Sequence, residues 1–157
     1  MKRTLLISTL LLAASQAVPA ADAPAAKAPA KAVAKAPAAP KTNFVDYSSA
    51  AVMDKDGATA VLAAAVPAKV WKLYPASKWA FVSQAEGGIT SAGACVVTAR
   101  VFIVPMTVST RKPLLHPEKM ATAFDTAPGA TRESCRDLAK AKLKEAAEAV
   151  VSSLVKT

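Results

Sequence analysis

The sequence predicts an α+β fold: a small antiparallel β-meander of about three strands, packed by one long C-terminal helix. Three observations predict it. Residues 94–104 alternate apolar and mixed side chains with the period of two that a half-buried strand requires. Residues 131–155 carry an apolar stripe at helical spacing: Cys135, Ala139, Leu143, Ala146/Ala147, Val150 and Leu154. All 4 Phe, 2 Trp and 2 Tyr follow Thr42, so the material for a core is confined to the C-terminal part of the chain.

Residues 1–20 read as a secretory signal peptide. Met1-Lys2-Arg3 is a positive start, Thr4–Ala14 is an apolar run, and Ser15/Ala17 or Val18/Ala20 supply the small residues a signal peptidase needs. A membrane span needs about 20 apolar residues, and this run is shorter. No Cys follows it to carry a lipid. The chain is therefore expected to be exported to a bacterial periplasm or secreted further, with no membrane span after cleavage.

Residues 21–41 read as a disordered linker. Of the positions 21–40, 11 are Ala and 4 are Pro, and Val33 is the only larger apolar side chain. Nothing there offsets the entropy of ordering. Lys27, Lys31, Lys35 and Lys41 make it basic: a solvated spacer, or an arm for anionic head groups or wall polymers.

Residues 42–157 are expected to form a single domain. Residues 58–66 predict a helix, with Asp56 or Gly57 near its N-cap. Pro67 then kinks it or opens a second turn through Val70, Trp71 and Leu73, closed by Tyr74-Pro75. Asp54-Lys55-Asp56-Gly57 lacks the remaining ligands of a calcium loop and reads as a turn. Residues 78–86 predict a strand, and Gly87-Gly88 after it signals a hairpin whose loop is longer than two residues. In the next strand, Ala94–Val104, the odd positions Cys95, Val97, Ala99, Val101 and Ile103 should face the core. Pro105 cannot donate to a ladder and ends pairing or marks an edge. A loop containing Pro113 and Pro117 leads to a third strand, Lys119–Thr126, with Met120, Thr122 and Phe124 on one face. Thr131 is the N-cap of the last helix, and Glu133 sits in its first turn, where the dipole favours it.

Cys95 lies on the apolar strand face and Cys135 opens the helix stripe. Packing that helix on that face draws the two sulfurs together, and an oxidising compartment makes a disulfide the expectation.

No reaction class has its parts. His116 is the only histidine, so a hydrolase, the least favoured reading, would have to use it. There is no Gly-x-Ser-x-Gly elbow, no phosphate-cradling glycine loop and no metal-ligand spacing. No catalytic, cofactor-binding or metal-binding residue is assigned, and no cofactor is expected. The expected function is that of an exported, non-catalytic binding or structural module of the cell envelope.

One constellation is a candidate interface. Arg132, Arg136, Lys140 and Lys144 recur every four residues along the last helix. Glu133/Arg136 and Asp137/Lys140 pairs at i,i+3 would make the row a solvated face. The alternative is an adaptor or inhibitor stripe that docks on an anionic envelope component or an acidic protein. Nucleic acid is not an expected partner. The formal net charge of +9 divides into +2 in the signal peptide, +3 in residues 21–41 and +4 in the domain.

Overall fold

A computed structural model describes residues 41–114 and 116–155. The expected signal peptide (1–20) and all of the expected linker except Lys41 lie outside the described residues.

The fold is α+β: a mixed four-stranded sheet with a long helix on one face. The elements run β1 (Phe44–Asp46), α1 (Lys55–Ala65), α2 (Ala68–Leu73), β2 (Trp79–Ile89), β3 (Cys95–Pro105), β4 (Lys119–Ala127) and α3 (Arg132–Val155). The sheet order is β1-β2-β3-β4. β2, β3 and β4 form the expected antiparallel meander. The additional strand, β1, pairs parallel to β2, with Val45 opposite Val82. A parallel pair needs a long crossover, and α1 and α2 supply it.

Asp54 begins α1 by accepting the Gly57 N–H at 2.6 Å. The expected cap at Asp56 or Gly57 is therefore two or three residues too late, and both residues lie inside the first turn. Pro67 separates the helices: Val66 ends α1, and Pro67 is itself the N-cap of α2. The expected hairpin forms, but Gly87-Gly88 are not part of its loop. Both glycines are inside β2, opposite Val97 and Val96. The turn lies at Thr90–Ala94, where the Thr90 N–H donates to Ala94 O (2.8 Å) and Gly93 adopts φ 76°.

α3 is capped reciprocally. The Ser134 N–H donates to Thr131 Oγ1 at 3.2 Å, and the Thr131 N–H donates to Ser134 Oγ at 2.9 Å. This is capping-box geometry with Ser in place of Glu. Its whole expected stripe is buried, against Val97, Ala99, Val101 and Ile103 of β3. The alanines let the helix come close to the sheet. Cys95 and Cys135 are disulfide-bonded, with Cα atoms 5.6 Å apart.

The opposite sheet face was expected to be merely mixed. It holds a second small core of Ala80, Val82, Phe102 and Val104, packed by Val45 and Met106. Farther along that face Met120 and Phe124 remain 58% and 61% exposed.

Candidate functional site

A cavity lies where β1, α1 and α2 meet. Its volume is about 670 Å³, within the ~300–1,000 Å³ typical of small-molecule sites. Phe44 comes from β1, Thr59 and Ala63 from α1, Ala68, Trp71 and Lys72 from α2, and Pro75–Ser77 from the turn that follows. Pro67 creates this geometry: breaking the helix after Val66 turns α2 so that Trp71 becomes part of the wall. Asn43 fixes the turn beside it, donating from Nδ2 to Ala76 O (3.3 Å) and Trp79 O (3.1 Å).

The Trp71 ring is held edge-on between Phe44 and Phe81, at centroid distances of 5.6 and 5.4 Å. Its Nε1–H is buried and has no acceptor among the described residues. A buried unmet donor costs about 1–3 kcal/mol. The cavity wall is otherwise mostly aliphatic and aromatic. Its charged lining groups among the described residues are Lys41 and Lys72, and no carboxylate among them lines it.

The basic row on α3 is exposed along its length and spans about 18 Å at ~1.5 Å per residue. The structure divides it. Lys140 pairs with Asp137 at 3.3 Å, as the i,i+3 spacing predicts, and Lys144 pairs with Glu148 at 3.8 Å. Arg132 and Arg136 have no carboxylate within ion-pair distance among the described residues; the expected Glu133/Arg136 pair does not form. These two arginines line a second cavity of about 400 Å³, together with Ala50, Ala51, Gly88, Ile89 and Cys135. Lys140 and Lys144 border a different, open groove against Ala60, Val61 and Ala64 of α1.

Cys95 and Cys135 are both consumed by the disulfide. His116 is exposed in the loop before β4, and its backbone N–H donates to Leu114 O at 2.7 Å. Its ring makes no hydrogen bond among the described residues, so no nucleophile is aligned with it there.

Sequence reasoning missed the Trp71 cavity. It placed Trp71 on a helical turn after Pro67, but the cavity depends on β1, whose three residues carry no strand periodicity. The only available signal was Phe44, an isolated aromatic just after an Ala/Pro-rich stretch.

No family model and no curated protein matches the chain. Two solved structures share a distant likeness. One is a candidate lipoprotein from Caulobacter crescentus CB15, at 11% identity over 73% of this chain and 84% of that one, with a TM-score of 0.37. The other is the PelC dodecamer of Paraburkholderia phytofirmans, at 15% identity over 73% of this chain and 91% of that one, with a TM-score of 0.36. At these scores the likeness assigns neither fold nor function.

Proposed function

We propose that the chain is an exported, non-catalytic binding module of the bacterial cell envelope, acting in the periplasm, and that its Trp71 cavity holds a small apolar molecule with an anionic head. The observation that carries this reading is the composition of the cavity: an apolar wall of ligand size, with two lysines and no carboxylate among the described residues that line it. An apolar body gains roughly 25 cal/mol per Å² of surface removed from water. The anionic head meets Lys41 and Lys72. Export is supported by the signal-like residues 1–20 and by the Cys95–Cys135 bridge, which an oxidising compartment maintains. A binding role is supported over a catalytic one because the sole histidine lies on an exposed loop and both thiols are bonded to each other.

Trp79→Phe leaves Trp71 as the single tryptophan reporter. Titrating that variant with a medium-chain fatty acid should give a saturable change in its fluorescence, stronger than with the matching alcohol. Lys72→Met keeps an apolar stem and removes one charge. It should weaken the acid about 1.5- to 5-fold, the equivalent of ~0.2–1 kcal/mol for a rim charge, and leave the alcohol unchanged. No saturable response to either compound would reject the cavity as a site.

A second reading is favoured by one observation, the two arginines at the start of α3 that have no carboxylate partner among the described residues. An acidic partner protein would dock there, where the helix N-terminus adds to the positive potential. Arg132→Glu with Arg136→Glu should then abolish its capture. Lys140→Glu with Lys144→Glu should reduce capture only slightly. Equal effects of the two double variants would mean that net charge alone governs binding.

A further inference from the structure

We propose that β4 pairs with β4 of a second copy of this chain, antiparallel and centred on Thr122, giving a two-fold dimer with one continuous eight-stranded sheet.

β4 is a sheet edge nine residues long. Its pairing with β3 runs one-to-one from Lys119↔Ile103 to Ala127↔Cys95, so no bulge twists it away. It contains no proline. Among the described residues no other segment donates to or accepts from its outer backbone groups. Edge strands are ordinarily shortened, bulged, broken by proline or covered, because every second residue aims its N–H and C=O outward. The other edge, β1, is protected in this way: it is only three residues long. β4 also carries Met120 and Phe124, two of the most exposed large apolar side chains among the described residues.

The sequence of β4 fits itself in one register. Centring on Thr122 places Lys119 opposite Asp125 of the second copy. It places Met120 opposite Phe124, Ala121 opposite Ala123, and Thr122 opposite its own twin. Two-fold symmetry makes every pair except the central one occur twice. Directly opposite residues lie on the same face, where they interact. On the helix side Lys119 joins the Asp125 carboxylate that Lys142 of the same chain already holds at 3.0 Å, and the residues between them are alanines. On the other side a methionine meets an aromatic ring, a favourable sulfur–aromatic contact. Moving the centre by one residue toward Ala123 sets Lys119 against Ala127 and Asp125 against Ala121, so Lys119 loses its carboxylate and Asp125 keeps only Lys142 of its own chain. Moving it toward Ala121 sets Lys119 against Ala123 and Asp125 against Pro117. The Trp71 cavity involves Phe44 at the far edge of the sheet, so the two cavities of the dimer stay open at opposite ends.

The test uses the purified protein with one added cysteine; the native pair is already bonded and does not compete. In the proposed register, Thr122→Cys lies about 4.5–5.5 Å from its twin, Cα to Cα, within disulfide range. Thr126→Cys lies about 27 Å from its own, eight residues away at ~3.4 Å each. Mild oxidation should link Thr122→Cys into covalent dimers and leave Thr126→Cys monomeric. Sedimentation of the unmodified protein should show a reversible monomer–dimer equilibrium, weakened at least tenfold by Met120→Lys with Phe124→Lys. Both of those side chains are exposed, and circular dichroism would confirm that the double variant is folded. Lys119→Asp and Asp125→Lys should each weaken the dimer, and mixing the two should restore it as a heterodimer with both cross-strand charge pairs rebuilt, while Lys142 of the second variant keeps Glu145. A wild-type protein that stays monomeric overturns the proposal. So does a dimer that survives Met120→Lys with Phe124→Lys, or one in which Thr126→Cys cross-links and Thr122→Cys does not.

Discussion

Gly87 shows how much one residue can decide. Its φ is +130°, and a Cβ built on it would lie 1.9 Å from the Val96 carbonyl oxygen. Its neighbour Gly88 has φ +151° but no atom within 4 Å of the added Cβ. Both positions strain an L side chain, at about 1–3 kcal/mol each. Only Gly87 adds a collision with the backbone of the adjacent strand. Gly87→Ala should therefore destabilise the protein clearly more than Gly88→Ala, measured as the shift in urea midpoint. Equal shifts would mean that β3 moves aside freely. In the sequence the two glycines read as the start of a hairpin loop longer than two residues, because Gly-Gly is a strong turn signal. The turn is instead made five residues beyond Gly88, where Gly93 takes the positive φ and Thr90 Oγ1 accepts the Ala94 N–H at 3.2 Å. The strand needs glycine for close approach, and a single sequence does not distinguish that need from a turn. Asp46 makes a similar point at the start of the sheet. Its Oδ1 accepts the Ser48 hydroxyl at 2.6 Å and the fully buried Ser83 hydroxyl at 2.7 Å. That network ties β1 to β2, and no pattern in residues 44–48 announces it.

At the scale of elements, legibility follows length. α3, with 24 residues, was readable to its cap and to every buried position of its stripe, because several turns repeat the same apolar spacing. β3, with 11 residues, was readable in its core face. β1, with three residues, has no period to read, and it took both the parallel pairing and the Trp71 cavity out of reach of the sequence. Helix and sheet are also joined at their rim by Lys142, which reaches Asp125 of β4 at 3.0 Å and Glu145 at 2.9 Å. The Lys142 hydrogen bond, reinforced by the Thr126 N–H, holds the Asp125 carboxyl below its ordinary value of 3.8. Hydrogen bonds to Glu145 and Asp125 raise Lys142 above its ordinary 10.5. The signs fix the pH window. The depressed Asp125 contributes stability that is present above 3.8 and lost as pH falls through its lowered folded value. The raised Lys142 contributes stability that is present below 10.5 and lost as pH rises through its raised folded value. Lys142→Met keeps the stem and removes the charge. The wild-type Tm should exceed that of the variant at neutral pH, and the gap should close toward both acid and alkali. A gap that is constant with pH would assign the difference to packing instead.

Across the whole molecule, the net charge of +9 looks at first like the mark of an anion-binding domain. The described domain retains only a modest share of it, and the geometry divides that share further. Lys140, Lys142 and Lys144 are paired with acids, Lys41 and Lys72 border the Trp71 cavity, and Arg132 and Arg136 at the head of α3 have no carboxylate partner among the described residues. The disulfide sits at that same head. Cys135 lies in the first turns of α3, and both cysteines are buried. The bridge closes a loop with a sequence separation of 40, which in the chain-entropy account contributes roughly 4 kcal/mol. A domain of this size is stable by only about 5–15 kcal/mol, so the bridge is a large part of the total. Replacing both cysteines by alanine should lower the urea midpoint with little change in slope. It should also loosen the first turns of α3, since Thr131 and Ser134 then cap a helix end no longer tied to the sheet. The two candidate sites should respond differently. Capture of an acidic partner at Arg132 and Arg136 should weaken in the double-alanine variant. Ligand uptake by the Trp71 cavity, built from Phe44, α1, α2 and the turn after it, should persist wherever the variant remains folded. Equal losses at both sites would show that the bridge stabilises the domain as one unit rather than fixing the head of the helix, and an unchanged midpoint would show that burial of the Ala/Leu stripe already holds α3 on the sheet.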